Sequence, residues 1–316
     1  MKSRHLVDPD LLALFDSLPA VEFTTELLPA IRSTSLPFEV DSAAVDAAEL
    51  ARRKVPGPKG APEVEVAIYR PRDKSGAIPC ILHLHGGGYV VGSTATLEPI
   101  HRSLSAAAGC CLVSVEYRLA PETRFPGAIE DCYAALTWLF AQAPSLGLDS
   151  ARIGVMGESA GGGLAAALAL LARDRGEHKL KFQHLIYPML DDRTCVAQEP
   201  HPYAGEFLWT PRNNAFGWSA LLGVAPGSDN VSPYASAARA ADLSGLPPTF
   251  ISTGALDLFL EEDMEYARRL TRAGVSVELH VYPGAYHAFD ILTKAPIAAA
   301  ANRDSLSALR RFMKSA

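Results

Sequence analysis

Gly157-Glu158-Ser159-Ala160-Gly161 is the segment of this chain best suited to covalent chemistry. An apolar run, Arg152–Met156, leads into it and reads as a strand, and an alanine- and leucine-rich helical pattern follows. Strand, sharp turn and helix in that order make a nucleophile elbow, which holds a serine hydroxyl clear of the sheet. Small residues at 157 and 161 suit such a turn, because side chains there would run into the neighbouring strand and helix. The helix begins beneath Ser159, so its first N–H groups can face developing negative charge. A glycine-rich helix start without chemistry would carry similar letters, so the pentad needs further support.

That support comes from Cys80-Ile-Leu-His-Leu-His85-Gly86-Gly87-Gly88-Tyr89, an apolar strand that runs into three glycines. Without Cβ atoms, backbone N–H groups can crowd a substrate oxygen. A His-Gly-Gly-Gly loop of this kind supplies oxyanion donors beside a nucleophile elbow. Gly87, Gly88 and Ala160 are the expected donors, with His85 and Gly86 supporting the loop. One such donor is typically worth about 10²–10³ in rate. The alternative is a flexible surface turn.

Around an elbow of this type the order is serine, acid, histidine. His280 and His287 are the histidines beyond the plausible acids. His280 lies in an alternating pattern, Ser276–Tyr282, that reads as a strand, where it would be a face residue. His287 follows Pro283-Gly284 in a loop, free to reach Ser159. Asp257 lies in the loop after the strand 249–253. Its rival, Asp242, precedes that strand next to Leu243-Ser-Gly and is expected to cap a short helix. In the resulting assignment Ser159 attacks an acyl carbon, His287 moves the proton, and Asp257 holds the imidazole.

The chain has 316 residues, enough for a large α/β domain. Its 29 Lys+Arg and 35 Asp+Glu give a net charge of −6, which disfavours nucleic acid. Five cysteines (80, 110, 111, 132 and 195) fall mostly in apolar patterns and form no Cys-x-x-Cys pair, as expected of core thiols. The first residues lack the apolar core of a secretory signal. The longest apolar run, 160–172, falls short of the roughly 20 residues of a membrane span. A cytoplasmic protein with no stable membrane insertion is the expectation.

Segments 10–15 and 43–50 read as N-terminal helices, and 50–55 with 62–69 as a hairpin. Strands are expected at 79–85, 110–116, 152–156, 182–187, 249–253 and 276–282. Helices are expected near 97–108, 127–141, 160–174, 261–273 and 298–314. This alternation predicts an α/β architecture: a mostly parallel central sheet with helices on both faces. Ligands then bind at the carboxyl ends of the strands, where Ser159, Asp257, His287 and the glycine loop all lie.

Further segments carry a resemblance: Glu116-Tyr-Arg-Leu-Ala-Pro-Glu122, Phe125-Pro-Gly-Ala-Ile-Glu-Asp131, Tyr187-Pro-Met-Leu-Asp-Asp192 and Ser232-Pro-Tyr-Ala-Ser236. With the elbow and the glycine loop, they make residues 55 to 290 resemble the hormone-sensitive-lipase-like family of α/β hydrolases, which contains many bacterial carboxylesterases. The resemblance implies the α/β-hydrolase fold, no cofactor, and His287 as the base. The family's acid motif is Asp-Pro-Leu-x-Asp-Glu. This chain reads Asp257-Leu-Phe-Leu-Glu-Glu262, keeping the aspartate and the final glutamate but lacking the proline. The resemblance also implies a helical cap made of residues 1–50 and an insertion at 191–220. The catalytic domain would then comprise 51–190 and 221–316. Tyr89, Phe207, Trp209, Phe216 and Trp218 are candidate walls of the substrate pocket; for the cap aromatics the alternative is packing of the cap itself.

The implied activity is hydrolysis of short-chain acyl esters, since the cap reads too small to expose a wide lipid-binding face. A lactone, an amide or a specific acetylated metabolite is an alternative substrate. A silent receptor is the alternative of another class: plant gibberellin receptors resemble the family but lack the histidine that this chain keeps. His83 and His85 share a strand face but have no further ligands at a recognised spacing, so no metal is expected. Glycine spacing does not support nucleotide binding. Asp191-Asp192-Arg193 reads as a charged turn, and Glu158 as a local charge partner. The expected partner is a small ester, with a homodimer through the edge strand 276–282 as a further expectation.

Overall fold

The computed structural model describes residues 1–16, 21–34 and 42–314. Its eight-stranded sheet runs in the order β1-β2-β4-β3-β5-β6-β7-β8. The strands are β1 (Ala48–Val55), β2 (Val64–Pro71), β3 (Ile78–Leu84), β4 (Cys111–Glu116), β5 (Leu148–Glu158), β6 (Gln183–Ile186), β7 (Thr249–Gly254) and β8 (Val277–Tyr282). β1 and β2 pair antiparallel, as do β2 and β4, and the other pairings are parallel. Every residue of β3 is buried, as expected of a parallel strand covered on both faces.

Helices cover both sides. Along one face lie α5 (Gly127–Gln142), α6 (Ala160–Arg175) and α8 (Leu260–Arg272), which share a large apolar core with β3, β4 and β5. The opposite face is covered by α4 (Glu98–Ala108) and α9 (Pro296–Phe312), packed on Ile81, Leu112, Met156 and Phe182. α6 is buried on all sides from Ala160 to Ala172, which accounts for the unbroken apolar run there. Among the described residues no helix is long and apolar enough to cross a membrane.

One predicted element is different. A helix was expected over 43–50, but the helix spans only Ser42–Asp46 and β1 begins at Ala48. The alanine-rich letters favour a helix locally, yet β1 pairs along its whole length with β2, from Ala48 opposite Pro71 to Val55 opposite Val64. Tertiary pairing overrides weak local propensity there.

Short helices α1 (Pro9–Phe15), α2 (Leu28–Ser33) and α3 (Ser42–Asp46) occupy the N-terminal region, and α7 (Pro211–Leu222) lies between β6 and β7. Thr210 caps α7 by accepting from the Asn213 N–H. Val7 and Leu11 pack with Phe207, Tyr286 and Phe289, so the N-terminus rests on the loop that carries His287. The five cysteines are unpaired, four of them buried.

Candidate active site

Ser159 stands between the end of β5 and the start of α6 with φ 55° and ψ −121°. A positive φ in a residue with a side chain costs of order 1–3 kcal/mol and persists where surroundings enforce it. Here the Ser159 N–H donates to the Ile186 carbonyl at 2.9 Å, and its carbonyl accepts from Gly163 at 3.0 Å and Met189 at 2.9 Å. The neighbouring glycines are needed for space. A Cβ on Gly161 would lie 2.0 Å from the Leu84 carbonyl oxygen, and one on Gly157 2.3 Å from that of Gly161.

The three candidate catalytic side chains converge. Ser159 Oγ lies 2.9 Å from His287 Nε2, and His287 Nδ1 lies 2.8 Å from Asp257 Oδ2. All three residues are buried. The second Asp257 oxygen accepts from the Phe259 N–H at 2.9 Å, so the carboxylate is held at both ends. Asp257 accepting at Nδ1 leaves Nε2 free to take a proton from the serine. The imidazole meets the Phe259 ring edge-on at 5.2 Å and that of Tyr187 at 4.8 Å. His280 is elsewhere: its Nε2 lies 2.9 Å from Glu278 on the edge strand. Asp242 makes a local turn rather than the expected helix cap, accepting from both the N–H and the hydroxyl of Ser244.

The glycine loop lies against the elbow. Gly87 (φ 121°) and Gly88 (φ 59°) hold left-handed backbone conformations. The Gly87 carbonyl accepts from Val90 and Val91, each at 3.0 Å, closing the turn. Gly86 packs so closely on the elbow that a Cβ would fall 2.9 Å from the Glu158 carbonyl oxygen. On its other side the loop meets the inserted segment. A Cβ on Gly88 would fall 2.3 Å from the Trp209 ring, and one on Gly217 of α7 would fall 2.7 Å from the Gly88 carbonyl oxygen. His85 braces the loop from below, with Nδ1 2.8 Å from the Gly86 carbonyl and its ring stacked 4.2 Å over Tyr117. Burial drives the His85 pKa below its usual value, so the ring is neutral and Nδ1–H donates. Ala160 opens α6 directly after the nucleophile, where a helix leaves its first N–H groups without intrahelical partners.

A second polar line lies behind the elbow. Ser114 Oγ is 3.2 Å from His83 Nδ1, and His83 Nε2 is 2.9 Å from Glu158. Ser114 and His83 are fully buried. They meet because β3 and β4 pair with His83 opposite Ser114, a register that local sequence does not encode. Beside them, the Tyr187 hydroxyl donates to Asp290 at 2.7 Å. Burial pushes the Asp290 carboxyl up to about 6. Sequence reasoning missed Ser114, Tyr187 and Asp290; only the proximity of 187 and 290 to site segments marked them. Among the described residues no group of three or more His, Cys, Asp or Glu is disposed to hold a metal.

The candidate pocket aromatics separate. Trp209 stands at the site, its ring 6.2 Å from that of His287 and its Nε1–H on Asn214 at 3.1 Å. Tyr89, Phe207 and Trp218 are buried, as Trp209 is, and pack within apolar clusters. Phe207 packs between Phe15 and Tyr286, and Trp218 against Tyr89. Phe216 is half-buried against the main core. Asp191 pairs with Arg193 at 2.7 Å, while buried Asp192 holds Arg239 at 2.6 Å and the Gly227 N–H at 2.7 Å. The first pair is the charged turn that the sequence suggested, and the second ties the start of the 191–220 insertion to the segment that follows it.

Residues 81–291 match a family model described as alpha/beta hydrolase fold. A carboxylesterase, NlhH, of Mycobacterium tuberculosis is 35% identical over 98% of this chain and 98% of its own length. An ethyl acetate hydrolase of Pseudomonas putida is 35% identical over 71% of this chain and 70% of its own. Among solved structures, a bacterial heroin esterase superposes with a TM-score of 0.88 at 38% identity, covering 98% of this chain and 99% of that one. With the sheet order and the elbow geometry, these likenesses establish that the chain belongs to the α/β-hydrolase family, in its hormone-sensitive-lipase-like branch.

Proposed function

We propose that this protein is a serine carboxylesterase that hydrolyses short-chain acyl esters through an acyl-enzyme. The observation that carries the reading is the unbroken line from Asp257 through His287 to Ser159, beside the Gly86–Gly88 loop. His287 Nε2 takes the Ser159 proton as Oγ bonds to the acyl carbon, and the carbonyl π electrons move onto oxygen. The N–H groups of Gly87, Gly88 and Ala160 receive that oxyanion. Collapse expels the alcohol, protonated by His287. Water, deprotonated by the same nitrogen, then releases the acid. Asp257 keeps the imidazole in the productive tautomer and stabilises the transient imidazolium.

The short-chain preference is supported by the bulk of Trp209 at the site, its ring packed against Gly88 and 6.2 Å from that of His287. It agrees with the ester chemistry in the names of the relatives. Domain boundaries follow the same reading, 1–50 and 191–220 as the cap with 51–190 and 221–316 as the catalytic domain, except that Ala48–Leu50 belong to β1 of the sheet and Leu221–Leu222 to α7. A cytoplasmic setting suits five unpaired cysteines. A homodimer through β8 is part of the proposal, because Leu279 (37%) and Val281 (40%) leave apolar surface on the edge strand; a monomeric mass in solution would refute it.

The deciding experiment is a hydrolysis profile over p-nitrophenyl esters from acetyl to dodecanoyl, with organophosphate labelling of Ser159. Maximal turnover at acetyl to hexanoyl and stoichiometric labelling are expected. A maximum at dodecanoyl with activation at an oil–water interface would replace the esterase reading with a lipase. Absence of both turnover and labelling would leave a ligand-binding protein.

A further inference from the structure

Arg32, on α2, reaches from the N-terminal region onto the loop that carries Gly87 and Gly88. Its Nε donates to the Val90 carbonyl at 2.8 Å, and one terminal nitrogen donates to the Ala120 carbonyl at 2.9 Å. The two terminal nitrogens also hold both oxygens of Glu122, at 2.8 and 2.9 Å. The carbonyls it grips belong to residues that close the loop themselves. The Val90 N–H donates to the Gly87 carbonyl at 3.0 Å, and the Ala120 N–H to the Tyr89 carbonyl at 2.9 Å. One guanidinium thus joins α2, the glycine loop and the 117–122 segment. The planar fork of arginine suits several acceptors at fixed angles, whereas a lysine ammonium is a point charge on a flexible stem. Glu122 is held down to about 2 by this arginine, so the pair stays ionised through the neutral range.

We infer that Arg32 is a positioning residue for the oxyanion loop: by fixing the Val90 and Ala120 carbonyls it sets where the Gly87 and Gly88 amides point. The seating of the N-terminal region on the catalytic domain is thereby read at the reacting oxygen. This inference rests on the ester-hydrolase reading. It predicts an effect on the transition state rather than on ground-state binding, because the oxyanion exists only after attack.

The test compares the wild type with Arg32→Met, Arg32→Lys and Glu122→Gln. The readouts are kcat and KM for p-nitrophenyl butyrate, affinity for an aryl trifluoromethyl ketone, and Tm. The ketone adds to Ser159: Oγ bonds to the carbonyl carbon, the proton passes to His287, and the new oxyanion faces the glycine loop. Arg32→Met is expected to lower kcat about 10- to 100-fold with KM within about threefold, a fraction of what losing a whole donor costs. Ketone affinity should fall by a similar factor. Arg32→Lys should recover part of both. Glu122→Gln, which spares the two carbonyl contacts, should stay within about threefold of wild type. A lowered Tm with unchanged kcat and ketone affinity would overturn the inference and leave Arg32 a structural tie. Equal losses in Glu122→Gln and Arg32→Met would overturn it too, placing the effect in the ion pair. If Arg32→Met does not fold, Arg32→Lys decides: a several-fold kcat loss supports the inference and wild-type kinetics refute it. A wild type inert to esters and ketone would sink the ester reading together with this inference, whereas an active wild type indifferent to Arg32 sinks the inference alone.

Discussion

Gly217 of α7 faces the carbonyl of Gly88 so closely that a Cβ would come within 2.7 Å of its oxygen. The inserted segment therefore touches the backbone that carries a proposed oxyanion donor. Gly217→Ala sets two effects against each other. In a helix interior alanine is favoured over glycine by about 1 kcal/mol. The contact with a backbone oxygen forces α7 or the loop to move. Thermal stability is expected to change little, while kcat for a short ester falls about tenfold or more. Full activity with a raised Tm would show that the loop gives way without consequence.

Replacing Ser159 with alanine is expected to abolish ester turnover and organophosphate labelling while leaving the fold intact, since the positive φ at 159 is held by backbone hydrogen bonds. Asp257→Asn is expected to lose about 10⁴ in kcat, as in other triads, because the amide favours the wrong imidazole tautomer. Single-turnover kinetics on both variants check this. Near-normal rates in Asp257→Asn would move the role to another carboxylate.

Acid stability should depend on His184. Its Nε2 lies 2.8 Å from Ser305 Oγ, its ring stacks 4.2 Å from Phe250, and burial drives its pKa down to about 3. On acidification the unfolded chain takes up this proton near the ordinary value of 6.5, long before the native state does. Stability present above that pH is therefore lost progressively as pH falls toward 3. At about 1.4 kcal/mol per unit, the loss from this group between pH 7.5 and 4.5 is about 2–3 kcal/mol. His184→Phe keeps the stacking surface and removes the titration. Urea unfolding at the two pH values should show a smaller pH difference in the variant, and an identical difference would exclude this residue.

The Tyr-Arg-Leu-Ala-Pro-Glu segment is anchored by buried Asp131, which accepts from the Arg118 N–H at 3.0 Å and from its guanidinium at 2.8 and 2.7 Å. Asp131→Asn leaves one oxygen acceptor facing three donors. A loss of about 2–4 kcal/mol in unfolding free energy is expected, the range for breaking hydrogen bonds to a buried charge. A change below about 0.5 kcal/mol would mean that Arg118 finds water instead.

The elbow and the glycine loop were legible because their geometry leaves few chemical choices: only small residues fit beside Leu84 and Glu158. The sheet was legible through β3 to β8, where apolar runs alternate with helical patterns. The start of β1 was not, since Ala48–Leu50 favours a helix and only pairing with β2 makes it a strand. Nor was the sorting of aromatics. Trp209 and Trp218 stand nine residues apart with similar neighbours and are both buried, and only the path of the insertion puts the first against Gly88 and His287 and the second against Tyr89. Arg32 and the Ser114–His83 contact depend on which segments meet in space, and no local pattern announces them.

Ser114, His83 and Glu158 have consequences for chemical probing. Among the described residues there are two serine–histidine–carboxylate arrangements with similar spacings, joined back to back where Glu158 precedes Ser159. One borders a loop of glycine amides; in the other the serine and histidine are fully buried, which cuts the hydroxyl off from any electrophile. A serine-directed reagent should therefore modify this protein once, and an inventory of residue types alone would count two.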